Sequence, residues 1–166
     1  MILNAFRKSL AAWSLSIVFV IASGVGVVVS TQSVAFADDR TGDAEINVNK
    51  AMDKARDLIA EGKLKKATQQ LNKVVKQEKF NADAWNLLGY SWRKLDKTKK
   101  SKYAYAKALK VDPKHKGALE YQGELFIKLG QLDKAEANLE KLKALCPDGC
   151  QELDNLTNAL AGDSSY

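Results

Sequence analysis

From Val48 to the end of the chain, apolar residues return at spacings of three and four. Leu58, Leu64, Ala67, Leu71, Val74 and Val75 lie on such a stripe, with charged residues between them. That period predicts helices with one apolar face and one charged face. Shifting the sequence by 34 residues keeps residue size in step: Leu58 falls on Trp92 and Phe126, Leu71 on Tyr105 and Leu139, and Val74 on Ala108 and Leu142. Gly89 falls on Gly123 and Pro113 on Pro147, while Gly62, Leu64 and Ala67 return two periods later as Gly130, Leu132 and Ala135. The period divides the chain into units 48–81, 82–115 and 116–149, each long enough for a helix, a turn and a second helix. Prolines after Asp112 and Cys146 end helices, because the residue before proline is pushed out of the helical region. Gly62 and Gly130 suit the turns inside units, where glycine takes a left-handed backbone at little cost.

No such unit can bury its apolar face alone, so three pairs must stack and the last needs a cover. Leu153, Leu156 and Leu160 form a leucine stripe that predicts a capping helix from about Cys150 to Ala161, within a final segment 150–166.

Trp85, Leu88, Gly89 and Trp92, followed by Tyr105, Ala108 and Asp112-Pro113, resemble the tetratricopeptide repeat pattern. Ser101 stands where that pattern has Ala. The third unit carries Gly123, Phe126, Leu129-Gly130, Ala135, Leu139 and Pro147, departing mainly at Leu119 for Trp and Gln122 for Leu. In the first unit Ala51, Lys54 and Ala55 replace the Trp and Leu-Gly, as befits a terminal repeat. The resemblance implies an all-α fold: a helix-turn-helix repeat solenoid of three tetratricopeptide-like repeats with a C-terminal capping helix. It also implies a concave groove lined by the first helix of each repeat, where another protein or a peptide segment binds. The matching positions are Met52, Arg56 and Ile59, then Asn86, Tyr90, Arg93 and Lys94, then Glu120, Glu124, Ile127 and Lys128. Met52 and Arg56 occupy places where some family members carry a clamp for a terminal carboxylate, so that mode of recognition is not expected here.

The first 37 residues read differently. Arg7 and Lys8 precede an apolar run from Leu10 to Val29, and Ala35-Phe36-Ala37 offers small residues before Asp38. This predicts a signal peptide cleaved ahead of Asp38, with an uncleaved membrane anchor through residues 10–29 as the alternative. Either way the repeats are expected outside the cytoplasm, as a periplasmic or secreted protein or one anchored at the inner membrane. Residues 38–47 are polar and acidic, the pattern of a flexible linker with no fixed structure.

Charge adds one local feature. The 166-residue chain has a net charge of +6, too modest to imply nucleic acid. Between Ser91 and Lys116, however, ten Lys or Arg face only Asp96 and Asp112. That run reads either as a solvated outer face or as a field that draws acidic partners, anionic lipid or nucleic acid, the last disfavoured by the expected compartment.

Cys146 and Cys150, the only thiols, flank Pro147-Asp148-Gly149, a strong turn sequence, and in an exported chain they predict a disulfide. A catalytic or sensing dithiol and a metal site are the alternatives. Metal is poorly served, since tetrahedral zinc takes four ligands and the single His115 lies a whole repeat away. His115, between Lys114 and Lys116, reads as a loop residue, and no nucleophile elbow, phosphate loop or zinc-protease motif occurs. The sequence thus points to a protein-binding adaptor or scaffold with no catalysis and no cofactor of its own. A thiol-active protein using Cys146 and Cys150, or a membrane-associated structural subunit, is the competing reading.

Overall fold

The computed structural model describes residues 45–162, and the expected signal peptide and most of the expected linker lie outside them. The described residues form seven helices and no strands: α1 (Val48–Ala60), α2 (Leu64–Gln77), α3 (Ala82–Lys94), α4 (Thr98–Val111), α5 (Lys116–Lys128), α6 (Leu132–Leu145) and α7 (Gln151–Ala161). None is long and apolar enough to cross a membrane.

The 34-residue period reaches down to single hydrogen bonds. The side chains of Asn47, Asn81 and His115, one period apart, each accept the backbone N–H three residues on, from Lys50, Ala84 and Ala118. Each satisfies one of the donors that the start of a helix leaves unpaired. His115 is therefore the N-cap of α5, which corrects its reading as an ordinary loop residue. Its Nε2 lies 3.1 Å from Asp83 Oδ1. Accepting through Nδ1 and donating through Nε2–H is the pattern of the neutral ring.

The turns repeat as well. The N–H groups of Lys63, Lys97 and Gln131 donate to the carbonyls of Leu58, Trp92 and Phe126, each at 2.8 Å. The residue before each donor is left-handed: Gly62 at φ 70°, Asp96 at φ 56° and Gly130 at φ 68°. Aspartate is among the few side chains that tolerate this region.

Packing divides the helices into two layers. α1, α3, α5 and α7 touch in succession, whereas α2, α4 and α6 do not touch one another and pack only against helices of the first layer. Helices that crowd on one side and splay on the other make the first layer the inner, concave one. One apolar cluster joins Ala55, Leu71, Val74, Ala84 and Leu88, and another joins Leu119 and Leu142 to Leu156 and Ala159 of α7.

Departures from the repeat pattern are matched by their neighbours. Ser101 is fully buried and its hydroxyl donates to the Gly89 carbonyl at 2.8 Å, which accounts for serine at an alanine position. Gln122 stands where the second repeat has Leu88, and Asn138 where it has Ala104. Asn138 Nδ2 reaches both Gln122 Oε1 and the Leu119 carbonyl at 3.1 Å, so the buried amides satisfy each other. Gly89 leaves room for the Tyr105 ring, and Gly123 for the Leu156 side chain. The capping helix thus seats its central leucine on the third repeat, with Leu153 and Leu160 half-buried beside it. Cys146 and Cys150 are bonded to each other, fastening the end of α6 to the start of α7.

Fixed structure begins slightly earlier than the linker reading expects. The Ile46 N–H donates to Gln77 Oε1 at 2.9 Å, Gln77 Nε2 returns a bond to the Ile46 carbonyl at 3.0 Å, and Ile46 packs on the first apolar cluster.

Candidate functional site on the inner face

The inner face carries an aromatic and cationic cluster where α3 meets α5. Tyr90 on α3 and Tyr121 on α5 have ring centroids 5.2 Å apart, inclined at 49°. The Arg93 guanidinium stands 5.6 Å from both ring centres, within cation–π range. Lys94 Nζ lies 5.8 Å from the Tyr90 ring centre and is exposed. The spacing of Tyr90, Arg93 and Lys94 follows from the helix, which places residues three and four apart on one face.

Beneath this cluster the polar groups are buried. Arg93 and Glu124 form an ion pair at 2.5 Å, with side chains only 10% and 6% exposed. Asn155 Nδ2 on α7 donates to Glu120 Oε1 at 2.8 Å. Burial disfavours the charged form of Glu120 and pushes its pKa up to about 7, against the Asn155 bond and with help from Glu124 and Glu152. Burial also raises Tyr121, to about 12, and moves the Tyr105 hydroxyl upward.

Four of the eleven groove positions read from the sequence are therefore not on the surface. Met52 belongs to the core between the first two repeats, Asn86 is buried, and Glu120 and Glu124 are enclosed by α7 and by Arg93. The physical reason is a neighbouring helix in each case: α7 covers Glu120 through Asn155, Arg93 of α3 covers Glu124, the start of α5 at Gly117 lies against Asn86, and Met52 turns into the first apolar cluster. Arg56, Tyr90, Lys94 and Lys128 keep exposure, with Arg56 3.1 Å from Asp53 and Lys128 Nζ 2.7 Å from Asp96. Arg93 stays in the cluster as its anchor. Sequence reading does not single out Tyr121 or Asn155, yet both share one repeat register with Leu87. A register that changes from leucine to tyrosine to asparagine, one residue per inner helix, is the signal that marks them.

Two models of the tetratricopeptide repeat match the chain, over residues 82–115 and 100–149. Residues 82–149 carry tetratricopeptide repeats. Among curated relatives it is 33% identical over 82 residues to Tetratricopeptide repeat protein 37 of Xenopus laevis, covering 49% of this chain but only 5% of that protein. Among solved structures it is similar to the TPR2B domain of yeast Sti1 in a complex with pHsp70, at TM-score 0.63 and 14% identity, over 70% of this chain and 98% of that one. It is also similar to the translocator chaperone SycD of Yersinia enterocolitica, at TM-score 0.61 and 16% identity, over 70% and 87% of the two chains. At these identities the likeness shows the fold, an all-α tetratricopeptide helical repeat. Among the described residues no group of three or more His, Cys, Asp or Glu is placed to hold a metal ion.

Proposed function

We infer that this protein is a non-catalytic adaptor or scaffold of a bacterial periplasm or cell envelope, and that its inner face holds a segment of another protein. The observation that carries the reading is the Tyr90–Tyr121 pair, held between a buried guanidinium and an exposed ammonium. Tyrosine and arginine dominate binding hot spots because they offer large rigid area together with polar reach. The Arg93–Glu124 pair fixes Arg93 before any partner arrives, so little side-chain entropy is lost on binding. The pHsp70 complex of the similar Sti1 domain supports a protein segment as the occupant.

Export is supported by the basic start, the apolar run 10–29, the Ala35-Phe36-Ala37 step and the cystine between α6 and α7, since disulfides persist in oxidising compartments. Half of that cystine, Cys146, is buried, which favours a structural tie over a working thiol.

A photo-crosslinking residue at Tyr90, with one at the exposed Lys141 of α6 as control, tests the site in the native cell. One protein captured from position 90 and not from 141 is the expected result; capture from neither position overturns the inner-face reading. N-terminal sequencing of the mature chain is expected to begin at Asp38, and an uncut Met1 would replace the cleaved form with the anchored one.

A further inference from the structure

The outer layer holds a second feature, separate from the inner face. α2 and α4 both pack on α3 but not on each other, and between them opens a cleft of about 750 Å³. Phe80, Trp85 and Tyr103 give it three aromatic rings, and Lys79, Lys107 and Lys110 give it positive charge. None of the described residues lining it is acidic.

Two of those aromatics are exposed to a degree that a core does not explain. Phe80 is 86% exposed and Tyr103 54%. The site is nonetheless built. Trp85 Nε1–H donates to the Lys79 carbonyl at 2.9 Å, which ties the turn carrying Phe80 to the start of α3. Trp85 and Tyr103 meet edge to face, 5.9 Å apart at 81°, and Lys107 Nζ stands 5.3 Å from the Tyr103 ring centre.

We propose that this cleft binds an acidic protein segment that inserts an apolar side chain between Trp85, Tyr103 and Phe80 while its carboxylates meet Lys79, Lys107 and Lys110. An apolar centre within a charged rim is the anatomy of a protein interface, and the volume lies in the range of sites that take a few side chains. Charge complementarity names the sign of the partner, and the wider run of lysines on α4 extends the attracting field beyond the cleft. The rings also speak against the other anionic polymers. Bases stack on rings that lie face-on in sequence, whereas perpendicular rings form a corner. A bilayer surface is flat and would meet Phe80 without entering the cleft.

The test uses the full chain and a randomised peptide library displayed on phage. Selected peptides are expected to place an aromatic residue or leucine beside two or more Asp or Glu, and to bind more weakly in high salt. Phe80→Ala, which removes an exposed ring and leaves the core intact, is expected to weaken them at least about tenfold. The pair Lys107→Glu and Lys110→Glu is expected to do the same, with an unchanged melting temperature in each variant. Tyr90→Ala on the inner face should leave this binding as it was, which separates failure here from failure of the inner-face reading. The proposal is overturned if no peptide is selected, if the selected peptides lack acidic residues, or if Phe80→Ala binds them equally. It is likewise overturned if oligodeoxythymidine or phosphatidylserine vesicles displace them and depend on the same residues.

Discussion

Arg93 and Glu124 stand one on α3 and the other on α5, 2.5 Å apart, and each is nearly sealed from water. A buried ion pair adds little net stability over a well-packed apolar pair, but breaking one side strands the other charge. Replacing Glu124 with Leu alone is therefore expected to cost about 3–5 kcal/mol, with much of it recovered when Arg93→Met is added. Urea denaturation of the two single variants and the double variant measures this; equal destabilisation by the double variant and the sum of the singles would refute the coupling.

Glu120 supplies a pH dependence. Its folded-state pKa is raised to about 7, chiefly by burial, so the folded chain binds a proton more tightly than the unfolded chain does. Its contribution to stability is thus fully favourable in acid and is lost as pH rises from the ordinary glutamate range through about 7. Glu120→Gln keeps an acceptor for Asn155 and removes the ionisation. It is expected to raise stability at pH 8 by on the order of 2 kcal/mol and to flatten the melting profile across that window. An unchanged profile would show that Glu120 does not titrate in this range.

The repeat register predicts a rescue. A Cβ on Gly89 would collide with the buried Tyr105 ring, so Gly89→Ala is expected to destabilise by about 1–3 kcal/mol despite the better helix propensity of alanine. The first repeat carries Ala55 and Leu71 at the same two positions, both fully buried. Adding Tyr105→Leu to Gly89→Ala should consequently recover part of the loss, as thermal melts would show.

His115 caps α5 from the register that Asn47 and Asn81 occupy in the other two repeats. His115→Asn is expected to retain stability, whereas His115→Ala should lose about 1 kcal/mol. Equal loss in both variants would place the contribution in the Asp83 contact instead.

Reduction of the Cys146 and Cys150 bond opens a very short loop, and its loss is expected to cost about 2 kcal/mol. Leu156 should hold α7 in place without it, so circular dichroism of the double Cys→Ser variant is expected to show the helical content of the parent.

The helices, their turns and their stacking are all legible in the residue pattern. Each of these rests on contacts within a repeat or between adjacent repeats, and a 34-residue period writes those contacts into residue size and glycine placement. The leucine stripe of α7 is legible for the same reason. Which polar residues of the inner helices stay in water, by contrast, depends on how the helices meet. Glu120 and Glu124 occupy register positions that face the groove, yet α7 and Arg93 cover them. Periodicity reports the direction in which a side chain leaves its helix, and burial depends on what another helix brings to the same place. The cleft on the outer layer arises likewise from α2 and α4 splaying apart over α3, a relation between helices that no single helix encodes.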